Sequence, residues 1–302
     1  MHIRIGTRAS LLAQWQANWV AQQLRQLGTT VELVEITTSG DIEQSGSIAS
    51  LGQQGVFAKE IQAALLEGRA DVAVHSLKDL PTEQMKELVL AAVPEREIVA
   101  DALVTQQGQT LDELPAGARV GTGSLRRQAQ LKHLRADLEV VGIRGNIDTR
   151  LRKLDAGEYD AVVLAAAGLR RLGWAGRISE LLEPPRMLPA VGQGALGIEC
   201  LATSRAVYQL LRQLDHHESH QAASAERAML ALLHGGCSAP VGAWGRSEQG
   251  SLRLDGLVAN LDGTHVLRAS STGSINDALA QGEHVAKQLL GQGAAEIIAA
   301  AR

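Results

Sequence analysis

Arg4-Ile5-Gly6-Thr7-Arg8-Ala9-Ser10-Leu11, near the start of the chain, has an echo in Arg119-Val120-Gly121-Thr122-Gly123-Ser124-Leu125-Arg126. Each reads as a short apolar strand, a Gly-Thr turn with a serine, and the first turn of a helix, the spacing differing by one residue. The pair suggests two similar α/β domains, each presenting a helix N-terminus to a shared cleft. Free backbone N–H groups and the positive end of the helix dipole suit such turns to anions. The plainer alternative is that the Ser and Thr side chains cap their helices and do nothing more.

Outward from these turns, apolar runs alternate with helical patterns up to about residue 200. Candidate strands are 2–5, 31–37, 71–75, 88–93, 119–121, 138–143, 160–165 and 194–200. Between them, 11–27 reads as a helix with Leu12, Trp15, Trp19 and Leu27 near one face, and 57–68 as another ending on a glycine. This alternation predicts α/β layers with largely parallel sheets. After Cys200 the pattern changes: 204–214 and 219–234 look helical, and 241–246, 251–261 and 264–271 look like strands. The last two flank Asp262-Gly263, a hairpin signal, and helical patterns at 276–290 and 294–301 follow. A small α+β module is expected there. The stretch 39–55, dense in Gly, Ser and Gln, reads as a mobile loop, either a lid or disordered.

With 302 residues the chain is long enough for two or three domains at about 150 residues each, and needs no disulfide or metal staple. Aromatics are only 2%, so the core must be aliphatic and base stacking on aromatic platforms is disfavoured. The net charge of −4 does not advertise a nucleic-acid partner, but it is unevenly spread. Between Arg119 and Lys153, nine basic residues face three acidic ones, a charge of +6 that leaves −10 for the remainder. Such a cluster in an acidic protein suits a small polyanion, although a charge run alone reads more readily as a solvated helix face. Two cysteines, Cys200 and Cys237, are too few for a disulfide framework and fit a reducing compartment. No apolar run reaches the ~18 residues of a membrane span. The start goes straight into a strand-like pattern, so a cytosolic protein is expected, or one whose transit peptide is not part of the chain.

Three constellations carry chemistry. His75-Ser76-Leu77-Lys78-Asp79-Leu80-Pro81 follows an apolar strand, at the end where open α/β sheets place ligands. There Asp79 is a candidate acid/base or electrostatic stabiliser with Ser76 and Lys78 as anion contacts, or simply an Asp opening a turn before Pro81. The second is the set Arg8, Arg126, Arg127, Arg144, Arg150 and Arg171. Most fall in the first turn of a helix, where arginine opposes the dipole, and a bound polycarboxylate would supply the missing counter-charge. The third is His234-Gly235-Gly236-Cys237-Ser238-Ala239-Pro240. A cysteine between glycines and a Ser-Ala-Pro turn belongs to a loop, which favours chemistry or covalent attachment, whereas Cys200 suits a core. No CxxC or HxxxH spacing suggests a metal.

Together these motifs resemble the porphobilinogen deaminase (hydroxymethylbilane synthase) family along nearly the whole length. The matching stretches are Ile5-Gly6-Thr7-Arg8-Ala9-Ser10, the run from Val74 to Pro81, and Gly121-Thr122-Gly123-Ser124-Leu125-Arg126-Arg127-Gln128. Arg144-Gly145-Asn146-Ile147-Asp148-Thr149-Arg150-Leu151, Pro189-Ala190-Val191-Gly192-Gln193-Gly194-Ala195 and the run from Glu226-Arg227 to Cys237 complete the set. Six motifs in the right order are specific where any one alone is weak.

The resemblance implies a transferase that joins four porphobilinogen units head to tail, releasing ammonia at each step, to give hydroxymethylbilane for porphyrin and haem synthesis. It implies a dipyrromethane cofactor, built from the same substrate and held by a thioether to Cys237. Asp79 would sit under the pyrrole nitrogens, assisting loss of ammonia and stabilising positive charge. Ser76, Lys78, Asp79, Thr122, Ser124, Arg126, Arg127, Gly145 and Arg150 match cofactor contacts. Arg8, Ser10, Phe57, Arg144, Arg150, Arg171 and Gln193 match substrate contacts. Small polycarboxylate pyrroles are the implied partners, with no nucleic acid and no membrane. The implied protein is a cytoplasmic monomer whose product passes to uroporphyrinogen III synthase.

One departure is visible. Relatives commonly carry Gly-Lys-Gly ahead of the Phe, whereas this chain has Gln54 there, so its loop is expected to contribute less charge to substrate capture. The implied architecture is two domains like the type II periplasmic binding-protein fold plus an α+β domain that carries Cys237. Their bounds are 1–95 with 194–214, then 99–190, then 218–302. A solute-binding protein shares the cleft and the anion-binding turns but has no use for the Gly-Gly-Cys loop. A cysteine hydrolase built on Cys237 and His234 leaves the arginines and Asp79 unexplained. A catalytically dead homologue need not keep Asp79, Cys237 and the paired arginines.

Overall fold

The computed structural model describes residues 1–36, 58–236 and 239–301. The expected mobile loop 39–55, with Gln54, and the residues Phe57, Cys237 and Ser238 therefore lie outside the described residues. The chain divides into two compact units, 1–97 with 195–220, and 98–194 with 221–302.

In the first unit, β1 (His2–Thr7) leads through α1 (Leu11–Gln26) to β2 (Thr30–Glu35), and α2 (Lys59–Leu66) leads to β3 (Val72–Ser76). The sheet is completed by β4 (Leu88–Ala92) and by a strand from much later in the chain, β10 (Leu196–Leu201), in the order β2-β1-β3-β10-β4. Its apolar core sets Ile3 and Ile5 of β1 against Val20, Ala21 and Leu24 of α1. These helix residues recur at three- and four-residue spacing, as one buried face requires. Ser10 caps α1, its hydroxyl accepting from Ala13 N.

The second unit begins with β5 (Asp101–Thr105) and continues β6 (Arg119–Gly121), α3 (Leu125–Leu134), β7 (Glu139–Val141), α4 (Ile147–Asp155), β8 (Ala161–Ala165), α5 (Ala166–Arg171) and β9 (Glu180–Leu182). Its first sheet runs β7-β6-β8-β5-β9. The two five-stranded sheets share one pattern. In each, the strand second in this order, β1 or β6, pairs in parallel with its two flanking strands, and the fourth runs antiparallel to both of its neighbours. The echo in the sequence is thus an echo in topology. The expectation of largely parallel sheets is corrected to mixed sheets, because the fourth strands, β10 and β5, run against the others.

The rest of the second unit is α+β, as the pattern after Cys200 predicts. Helix α6 (Arg205–Leu211) still belongs to the first unit, and α7 (His217–Leu232) leads to β11 (Val241–Glu248), β12 (Ser251–Ala259) and β13 (Val266–Ser274). Two helices follow, α8 (Ala278–Gly291) and α9 (Ala294–Ala300). The three strands form an antiparallel meander whose apolar face, with Leu252, Leu254 and Val258, packs on Met229 of α7 and on Val285 and Leu289 of α8. At the expected hairpin, Asp262 Oδ1 accepts from Thr264 N, and Asn260 Oδ1 accepts from His265 N. These side chains compete with the ladder, so the strands stop at Ala259 and Val266 instead of reaching Asp262-Gly263.

Candidate active site

Parallel pairing of β1 with β3 matches Gly6 to Ala73, so the C-terminal ends of the two strands lie side by side. Arg8 and Ser10 leave one end, and Ser76, Lys78 and Asp79 the other, at the edge of the sheet where α/β folds place ligands. Ser76 ends β3 and shares its hydroxyl with the buried Gln16 amide of α1, 2.9 Å away. The chain then makes a single 3-10 turn, Leu77–Asp79. Leu77 is buried beneath it and donates its N–H to Ala195 O at 3.0 Å, leaving Lys78 and Asp79 half-buried above. Among the described residues no ion pair or hydrogen bond occupies the Asp79 carboxylate. Below the site, a buried polar chain braces β3: Gln62 of α2 donates to both Glu199 oxygens, and His75 Nε2 lies 2.9 Å from Glu199 Oε2.

The second unit repeats the arrangement. Val120 of β6 pairs with Val140 of β7 and Ala161 of β8, so three strand ends again meet at one edge. Thr122 and Ser124 follow β6, Arg144 and Gly145 follow β7, and Arg171 lies at the end of the helix after β8. Thr122 Oγ1 accepts from Ser124 N at 3.2 Å, but the Ser124 hydroxyl caps nothing on α3. Ser10 and Ser124, alike in sequence, therefore differ: the first is a helix cap and the second keeps its hydroxyl for another partner. Gly145 has φ +107, and a Cβ there would fall 2.6 Å from Thr149 Cγ2, so only glycine makes this turn. Its carbonyl accepts from Arg150 Nε at 2.8 Å. Arg171 donates to Gly194 O at 2.7 Å. Arg144 is half-buried and has no ion pair among the described residues.

Arg126 and Arg127 correct an expectation. Their counter-charge is within the chain: Asp101, at the start of β5 and fully buried, binds both. Burial by itself pushes the Asp101 carboxyl up, but the charges of Arg126 and Arg127, with their hydrogen bonds, hold it well below the usual carboxylate range. Gln193, expected on the substrate side, is also fully buried and gives its amide N–H to Val99 O at 2.7 Å and to Asp101 Oδ1 at 2.9 Å. A neighbouring buried carboxylate, Glu226 of α7, accepts from Gly192 N and Gly245 N, both at 2.7 Å. Sequence reasoning missed Asp101. Its one signal is an acid opening an apolar run, Asp101-Ala102-Leu103-Val104, where a charge needs a partner.

Next to the proposed attachment point, His234 (φ +50) and Gly236 (φ +59) are both left-handed, and a Cβ on Gly235 would fall 2.7 Å from Leu230 Cδ1. The backbone turns tightly there. Among the described residues no cluster of His, Cys, Asp and Glu could hold a metal. No helix among them is long and apolar enough to cross a membrane.

Residues 3–209 match the family model described as porphobilinogen deaminase, dipyromethane cofactor binding domain, and residues 220–291 match the porphobilinogen deaminase C-terminal domain. The chain is 49% identical over 302 residues to a porphobilinogen deaminase of Pelotomaculum thermopropionicum, covering 99% of this chain and 97% of the relative. It is 49% identical over 300 residues to that of Shouchella clausii, covering 98% and 96%. Among solved structures, a putative methionine-binding lipoprotein of Bacillus subtilis aligns with a TM-score of 0.44 and 14% identity over 70% of this chain and 89% of that one. The BvgS VFT2 domain of Bordetella pertussis aligns at 0.43 and 19% over 70% and 86%. The strand orders described above, not these likenesses, define the fold. Matched over both of its parts and at 49% identity along almost its full length, the chain belongs to the porphobilinogen deaminase family.

Proposed function

We propose that this chain is a hydroxymethylbilane synthase. It joins four porphobilinogen molecules head to tail, releases ammonia as each bond forms, and frees the linear tetrapyrrole by entry of water. The observation that carries this reading is membership of the family along almost the whole chain, cofactor domain included.

The residues present fit a dipyrromethane cofactor. Each of its rings bears an acetate and a propionate, and the second unit offers matching donors: a buried Arg126 Nε without a partner among the described residues, Arg144, and the Ser124 hydroxyl. When bound, the group supplies the anchored pyrrole end on which the product is lengthened. Cys237 is proposed as its attachment point. Lys78, Ser76 and Thr122 are proposed to hold its carboxylates, and Arg8, Arg144 and Arg171 those of the incoming porphobilinogen, as fork-shaped guanidinium groups suit planar carboxylates. Asp79 has two proposed tasks at the pyrrole nitrogen. It handles the proton while ammonia leaves, and its negative charge offsets the positive charge that develops on the ring. A half-buried carboxylate that no neighbour among the described residues occupies suits both.

We further propose a cytoplasmic monomer that passes its product to uroporphyrinogen III synthase. The scarcity of cysteine supports the compartment. Light scattering is expected to give a mass near 32.0 kDa.

The deciding experiment is the intact mass of the denatured, purified chain. The expected result is an excess equal to two pyrrole units, lost in Cys237→Ala. If the mass is unmodified, porphobilinogen is added, and failure of the chain both to acquire the adduct and to consume the substrate overturns the reading.

A further inference from the structure

The two five-stranded sheets share one topology but differ at one corresponding position. In the first unit Gly6 of β1 pairs with Ala73, and in the second Gly121 of β6 pairs with Val162. Three residues before each partner stands the side chain that packs against the glycine. In the first unit it is Ala70, whose Cβ would lie 3.3 Å from a Cβ on Gly6. In the second it is Tyr159, whose Cδ1 would lie 2.9 Å from a Cβ on Gly121. A glycine pressed by a ring at a strand end marks a close approach that a side chain would block.

The ring brings a hydroxyl to a place where Ala70 offers none. Tyr159 Oη donates to Gly142 O at 2.9 Å. Gly142 is the first residue past β7, and the chain leaves the ladder there, just after Thr122 N donates to Val141 O at 2.9 Å. Ile143 follows, buried with Leu151 and Leu154 of α4 in a cluster against which Tyr159 packs. A Cβ on Gly123 would fall 3.0 Å from Ile143 O, so the turn bearing Thr122 and Ser124 lies directly against this segment. On the far side of Arg144, Gly145 O accepts from Arg150 Nε. Arg144 thus stands between two tethered carbonyls.

A long side chain on a loose segment gives up freedom when it binds, so a backbone anchored beforehand strengthens capture. We propose that Tyr159 is a positioning residue for substrate capture: its hydroxyl fixes the strand end 142–145, and with it the backbone from which Arg144 meets a carboxylate of the incoming pyrrole. Tyr159 acts through the backbone and touches no reacting atom. The proposal rests on the reading of this chain as a hydroxymethylbilane synthase.

The test uses holo-protein, its two-pyrrole adduct checked by intact mass, and measures porphobilinogen consumption and melting on the same samples. Tyr159→Phe keeps the ring against Gly121 and removes only the donor. It is expected to melt close to wild type and to keep kcat within about twofold while KM rises about fivefold, the scale of one hydrogen bond that serves ground and transition states alike. Arg144→Lys is expected to raise KM as well. In that background Tyr159→Phe is expected to add less than about twofold, because residues that act as a unit are not additive. An unchanged KM in Tyr159→Phe overturns the proposal, as does a fall in kcat alone. The full rise persisting in the Arg144→Lys background shows that Tyr159 does not act through Arg144 and overturns it too. A Tyr159→Phe chain that melts far below wild type makes the hydroxyl a stability element and has the same consequence. If wild type carries no adduct and consumes no porphobilinogen, the functional reading fails instead, so the two failures are distinguishable.

Discussion

Asp79 shows how little local sequence says about a carboxylate. Ahead of a proline it reads equally as a turn former and as a catalytic group, and only its setting separates the two. In the structure it ends a 3-10 turn at the tip of β3, half-buried, with no neighbour occupying its oxygens among the described residues. Among the described residues nothing pairs with its charge. Asp79→Ala is therefore expected to melt within a few degrees of wild type while turnover falls by about 10²-fold or more, the scale of a lost acid/base group. A melting curve and a porphobilinogen-consumption assay check both halves. Cys200 is the opposite case. It is fully buried in β10, and burial, then the Glu199 charge, push its thiol up to about 11. At pH 8 it is neither accessible nor ionised, so iodoacetamide is expected to label apo-protein once, at Cys237, and holo-protein not at all. Peptide mapping that finds alkylated Cys200 in folded protein contradicts this.

At the scale of elements, what can be read from sequence divides along a physical line. Strand and helix positions follow from periodicity, and β6 falls where the apolar run predicts. The cap roles of Ser10 and Ser124 do not follow, because the same residue in the same local pattern can bond its own helix or leave its hydroxyl for a ligand. β5 and β9 also escape detection, since runs of only three and two apolar residues, Ala102–Val104 and Leu181-Leu182, look like any buried segment. Buried acids escape for another reason: the partners that make them affordable come from distant elements. Asp101 draws on α3 and on Gln193; Glu226 holds Gly192 N and Gly245 N together. Glu226→Ala leaves those two N–H groups buried and unsatisfied, at about 1–3 kcal/mol each. It is expected to lower the urea midpoint without changing the slope. Asp101 makes stability depend on pH with a definite sign. Its folded-state pKa is depressed below the unfolded value of about 3.9, so its contribution is complete above that pH and is lost as pH falls toward the folded value. The stability gap between wild type and Asp101→Asn is expected to shrink between pH 7 and pH 3. Urea midpoints at several pH values measure it, and a gap that widens toward acid refutes the assignment.

Across the whole molecule, the echo between residues 4–11 and 119–126 is a statement about strand order, and the order explains why the chain must leave the first unit and come back. The sheet β2-β1-β3-β10-β4 is filled from both sides of the crossing, with β10 seated between β3 and β4. The sequence shows β10 as an apolar run but carries no mark of which sheet it joins or in which direction, because pairing is decided by residues more than a hundred positions away. Its place matters for chemistry. Leu196 pairs with Ser76, Gly197 with His75, and Ala195 O holds Leu77 N, so the turn bearing Lys78 and Asp79 rests on a strand that arrives only after the five-stranded sheet of the second unit. Gly197 fits there because a Cβ would fall 2.9 Å from Leu77 Cδ1. Without β10, β3 becomes an edge and β4, already at the edge, loses its sheet partner, leaving unpaired N–H and C=O groups in a setting that favours aggregation. A fragment of residues 1–189 is therefore expected to fail as a folded first unit, giving insoluble or protease-sensitive material. A single chain joining 1–97 to 195–220 through a flexible linker contains every strand of that sheet and is expected to unfold cooperatively. Circular dichroism melts of the two products decide the matter: a cooperative melt from 1–189 shows that the site strand does not need the returning one.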